Sequence, residues 1–122
     1  MKRPRPRLHK ISEEMKAWSA ALHAEVSTWP QVSTRPMFGF HALFRRKKIF
    51  AALPKTRTMD PPDSISFKLP KAEIRIRKRA EAEKGMHVPE SPTAGWITLE
   101  IHGDKDLQRA LKWLEEAYSA CR

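Results

Sequence analysis

Residues 38–53 constrain the fold most. Phe38-Gly39-Phe40-His41-Ala42-Leu43-Phe44 alternates, with Phe38, Phe40, Ala42 and Phe44 on one face, and Lys48-Ile49-Phe50-Ala51-Ala52-Leu53 follows almost at once as a second apolar strand. So short a link has no room for a helical crossover, so the two strands must pair antiparallel. Between them stands Arg45-Arg46-Lys47-Lys48. Four adjacent cations repel one another and avoid a core, which puts them at an exposed hairpin tip. The tip lacks the Gly or Asn that a two-residue turn favours, so a somewhat longer loop is expected. Lys48–Leu53 is apolar on both faces, which predicts a central, covered strand.

Three more segments read as strands. Val32 to Met37 contains Pro36, which suits an edge or an entry segment. Ser64 to Leu69 alternates cleanly, with Ile65, Phe67 and Leu69 inward and Ser64, Ser66 and Lys68 outward. Trp96 to His102 does the same, with Ile97, Leu99 and Ile101 facing the core. The Pro-containing stretches 54–63 and 86–94 read as loops.

Helical spacing appears three times. Ser12 caps a helix to about Thr28, with Glu13 and Glu14 at its positive end and a stripe of Ile11, Met15, Trp18, Leu22, Val26 and Trp29. Pro30 ends it, and His23 falls one residue off the stripe, as a boundary or surface residue. Lys71 to Lys84 is rich in helix formers, with Ala72, Ile76 and Ala80 inward and Ile74 off the stripe; Arg75-Ile76-Arg77 also fits strand alternation. Asp104 caps a last helix whose stripe is Leu107, Leu111, Leu114, Tyr118 and Cys121. The order predicts an α+β fold, a single antiparallel sheet of four to five strands with helices packed mainly on one face. The chain of 122 residues is one domain over 11–122 behind a basic, flexible arm at 1–10.

Charge is the other global signal. The net charge is +10, half of it in the first ten residues through Lys2, Arg3, Arg5, Arg7 and Lys10. Two readings of this arm stand, a solvated tail and a nucleic-acid-binding extension. The excess favours polyanionic partners, DNA or RNA. A lone cysteine, Cys121, fits a reducing compartment and reads as the end of the last helical stripe. No apolar run reaches the roughly 20 residues a membrane span needs, and no apolar segment follows the basic N-terminus. A cytoplasmic protein without a membrane partner is expected.

Several of these segments resemble a known family. Met37-Phe38-Gly39 followed by Lys48-Ile49-Phe50-Ala51 is similar to the opening hairpin of TfoX N-terminal domains. Ser64-Ile65-Ser66-Phe67-Lys68, Gly95-Trp96-Ile97-Thr98-Leu99 and the closing Leu111-Lys112-Trp113-Leu114-Glu115-Glu116-Ala117-Tyr118 resemble the related MmcQ/YjbR-like domains. The resemblance spans about residues 12–121 and implies a two-layer, secretion-chaperone-like α+β domain that binds DNA or regulates, with no catalytic constellation to transfer. The cationic hairpin tip departs from the Gly-containing turn those domains often carry.

Residue patterns for catalysis and metal binding are weak. There is no phosphate loop, no HExxH and no His pair at helical spacing. His41 and His102, both on strands, are the one pair that could meet across the sheet, and Asp60 and Asp63 read as turn residues. No catalytic residue, metal ligand or cofactor is expected. The expected nucleic-acid contacts are Arg45, Arg46, Lys47, Lys48 and Lys68, with Arg75, Arg77, Lys78 and Arg79 on the second helix. The alternative is a protein-protein adaptor or homodimer anchored on Trp96 and Trp113, with no nucleic-acid role.

Overall fold

Every strand pair in the computed structural model is antiparallel. The structure describes residues 9–58, 61–70, 73–89 and 95–121. In chain order the elements are β1 (His9–Lys10), α1 (Glu13–Val26), β2 (Val32–Met37), β3 (Phe40–Arg45), β4 (Lys48–Pro54), β5 (Arg57–Thr58), β6 (Ser64–Lys68), α2 (Ile74–Ala82), β7 (Met86–His87), β8 (Trp96–Glu100) and α3 (Lys105–Ala120). One sheet has the order β2-β3-β4-β6-β8-β7, and β1 pairs separately with β5. Of the expected arm, His9 and Lys10 pair with Thr58 and Arg57, while residues 1–8 lie outside the described residues.

The sheet has six strands, against the four or five expected. The added one is β7, in a segment read as loop, where Met86 and His87 pair with Leu99 and Thr98. Two residues are too few to show alternation, so only the neighbour reveals this strand. β4 is central, and β2 is an edge that tolerates Pro36 opposite His41. Phe38, expected in a strand, sits in the β2–β3 turn with φ +49° and is 83% exposed.

The β3–β4 turn is tighter than expected. Arg45 pairs with Lys48, leaving only Arg46 and Lys47 between them, and Arg46 adopts φ +58°. The ladder jumps from Leu43–Ala51 to Phe44–Ile49, so Phe50 is an extra residue in a β-bulge. The bulge adds local twist, which accommodates a short turn without glycine.

One face of the sheet carries the core. Leu43, Phe50, Ala51, Ile65, Phe67, Ile97 and Leu99 meet Met15, Leu22 and Val26 of α1, Ala80 of α2, and Ala110, Trp113, Leu114 and Ala117 of α3. Ser12 caps α1 as expected, accepting from the Met15 amide at 3.1 Å. Asp104 does not cap α3; its carboxylate accepts from Trp18 Nε1 at 2.9 Å instead. The buried line of α3 is also rotated from the expected stripe. Trp113 lies near-parallel over Phe67, ring centres 6.2 Å apart, while Leu107, Leu111, Tyr118 and Cys121 flank the core half-covered. Two alanines let the helix approach closely, so its small residues, not only its leucines, mark the buried side. In α2, Ile76 and Ala80 face inward and Ile74 is exposed, as the stripe predicts.

Candidate nucleic-acid interface

β4 and β6 pair only through Ala51–Phe67 and Ala52–Ser66. Towards the Arg46–Lys47 turn the ladder stops and a groove of about 480 Å³ opens. Lys48, Ile49 and Phe50 line one side, Lys68 and Pro70 the other, and Ala120 and Cys121 close it. Gly95 helps to place Lys68: a Cβ there would stand 3.2 Å from both Cγ and Cε of the lysine, so the bare backbone lets its aliphatic stem lie across. Lys68 reaches solvent from the sheet face opposite the helices and is paired in register with Trp96.

Of the nine basic residues expected at this interface, Arg46, Lys47, Lys48, Lys68, Arg75, Lys78 and Arg79 are exposed, and Arg45 and Arg77 are half-buried. Arg45, Arg77 and Arg79 make the following contacts within the fold. The Arg45 guanidinium sits 4.3 Å from the Tyr118 ring centre and donates to the Tyr118 carbonyl at 2.8 Å. Arg77 donates to the Leu69 carbonyl at 3.0 Å. Arg79 pairs with Glu116 at 2.8 Å and lies over the Trp113 ring. Alternation explains Arg45: β3 turns its side chain to the helix side, whereas the following turn residues project away. Carboxylates cluster at the opposite end of the sheet, where Asp63 accepts from Ser12 and Asp106 from the His102 amide.

The histidines are arranged differently from the expected pair. His41 stacks on His23 of α1, and His23 Nε2 lies 3.0 Å from Thr34 Oγ1. Burial pushes both imidazoles below their ordinary range, with Lys55 adding to the effect. His102 instead shares Glu100 with His87, at 3.0 and 2.6 Å. The hydrogen bond from His87 is the main reason the Glu100 carboxyl titrates below its usual range. The stacked pair was hidden in the sequence because only the α1–sheet packing joins residues 23 and 41. Among the described residues no group of three His, Cys, Asp or Glu is placed to hold a metal ion. Asp63 serves as a turn residue, with its carbonyl accepting from Ile101, and Asp60 lies outside the described residues. Trp113 is buried and offers no docking anchor, whereas Trp96 is half-exposed.

Among the described residues the fold is α+β, with a six-stranded antiparallel sheet and three helices. No helix among the described residues is long and apolar enough to cross a membrane. No family model, curated protein or solved structure matches the chain.

Proposed function

We propose that this protein is a non-enzymatic regulatory module that binds nucleic acid through the phosphate backbone at the basic end of its sheet. The observation that carries the reading is the groove that Lys48 and Lys68 line together, beneath a turn that projects Arg46 and Lys47. Arg75 and Lys78 add exposed charge from α2. Such cations give affinity without sequence information. The resemblance to TfoX N-terminal and MmcQ/YjbR-like domains points the same way.

Fluorescence anisotropy of the full chain with labelled DNA, at several salt concentrations, tests this. Four to six neutralised phosphates give a slope of log affinity against log salt of roughly −4 to −5. Absence of binding at low salt overturns the reading. A second reading, a protein-docking module or homodimer, rests on Trp96 alone, half-exposed on the sheet face away from the core.

A further inference from the structure

We propose that the sheet face opposite the helices is a platform for unpaired nucleobases, so that the ligand is single-stranded rather than duplex nucleic acid. The inference rests on the nucleic-acid reading above and specifies its substrate class.

Register and alternation define this face. Ser33, Phe44 and Ile49 align across β2, β3 and β4, and Lys68 pairs with Trp96 across β6 and β8 at the same end of the sheet. Beside them runs a row of short side chains: Ala42 pairs with Ala52, Ala52 with Ser66, and Ser66 with Thr98. The two alanines are buried and Ser66 and Thr98 half-exposed, so the accessible part of the row lies on β6 and β8, beside Trp96; Phe44, also half-exposed, stands at its β3 end. Arg35, exposed on the edge strand, holds its guanidinium 5.3 Å from the Phe44 ring centre. The platform therefore combines two aromatic rings with Arg35 and Lys68, and it adjoins the Arg46–Lys47 tip.

Charge and shape select the occupant. Among the described residues of the sheet strands, Glu100 is the carboxylate on this face, and it is held by His87 and His102 at the far end. An anionic partner with flat apolar groups suits such a surface: bases stack on the rings while phosphates meet the cations. A duplex does not fit. From β3 to β8 is three strand spacings, about 14 Å, wider than a major groove of about 12 Å, so the flat face cannot enter it. Paired bases present only their edges, never the planes that Phe44 and Trp96 would stack on. A second copy of the chain fits poorly too, because a two-fold interface would bring two copies of the same predominantly cationic patch together.

The test uses the full chain, a fluorescein-labelled oligothymidylate and a mixed-sequence duplex of equal length. Wild type should bind the single strand at least about tenfold more tightly than the duplex. Trp96→Leu and Phe44→Leu, checked for folding by thermal melting, should each lose about tenfold on the single strand with the salt slope unchanged. Trp96→Phe should recover most of the loss, since a ring is restored. Oligothymidylate should also quench part of the wild-type tryptophan fluorescence, and that part should vanish in Trp96→Phe, a readout independent of the leucine variants. Equal binding of both probes, with the aromatic variants unaffected, overturns the inference and leaves the phosphate-binding reading standing. Binding of neither probe removes both. Self-association that Trp96→Leu abolishes, without any effect on nucleic acid, overturns the inference and assigns the face to a second copy.

Discussion

His23 and His41 stack with ring centres 4.1 Å apart and planes within 6° of parallel, joining α1 to β3. Two cationic rings would repel at that distance, and Lys55 lies close to both. Folding therefore depresses both pKa values, by burial first and by neighbouring positive charge second. Below about pH 6.5 the unfolded chain binds more protons than the native state. Stability is fully present above that value and falls as the pH drops towards the lower folded values. Urea midpoints should decline between about pH 7 and pH 5. His41→Phe keeps a ring against His23 but removes a proton site, so its decline should be shallower; parallel curves would contradict this account.

Arg45 and Arg46 are neighbours with opposite assignments. Arg45 is bound to Tyr118 by a charge-assisted hydrogen bond and by its ring face. Arg45→Gln should cost about 1–3 kcal/mol of stability and leave the salt slope of DNA binding unchanged. Arg46→Gln should leave stability almost unchanged and reduce the slope by about 0.7 on a single strand, or about 0.9 on a duplex. Denaturation and salt titration of both variants separate the two roles.

Gly39 cannot gain a side chain cheaply. Its φ is +86°, and a Cβ would fall 2.6 Å from Arg57 Cγ and 2.8 Å from Arg57 Cβ. Its carbonyl also accepts from the amides of Lys55, Thr56 and Arg57, which fixes the turn against the start of β5. Gly39→Ala should destabilise by about 2–3 kcal/mol, combining left-handed strain with overpacking. A melting temperature equal to wild type would refute it.

Phe67 is fully buried at the middle of the sheet and is overlain by Trp113. Phe67→Ala should cost about 3–5 kcal/mol. Near-ultraviolet circular dichroism should lose intensity with it, since Trp113 is released from its ordered neighbour.

Glu100 accepts from His87 and His102, and these bonds hold its carboxyl below the usual range against a smaller opposing effect of burial. A lowered carboxyl pKa stabilises the fold above the unfolded value, about 4.3, and that contribution is lost as the pH falls through the folded value. His87→Leu removes the largest cause, so the Glu100 carboxyl should titrate at higher pH, as read by side-chain carboxyl NMR.

The regular elements were legible because periodicity reports a buried face. Ile65, Phe67 and Leu69 are all inward, and so are Ile97, Leu99 and Ile101. Other features depended on partners distant in sequence. β7 is too short to alternate, the buried line of α3 turns on alanines, and Asp104 serves Trp18 instead of its own helix. The basic set was legible only as composition: alternation put Arg45 on the helix side, and packing engaged Arg77 and Arg79.

Local spacing alone determined three amphipathic helices and the antiparallel strands, because apolar side chains at periods of 3.6 and 2 have one face to bury wherever the chain leads. Tertiary structure decided which charges stay in water, which histidines meet, and which sheet face is left without a helix. Those outcomes depend on register and on docking between segments far apart in sequence, and no local pattern encodes a distance through space.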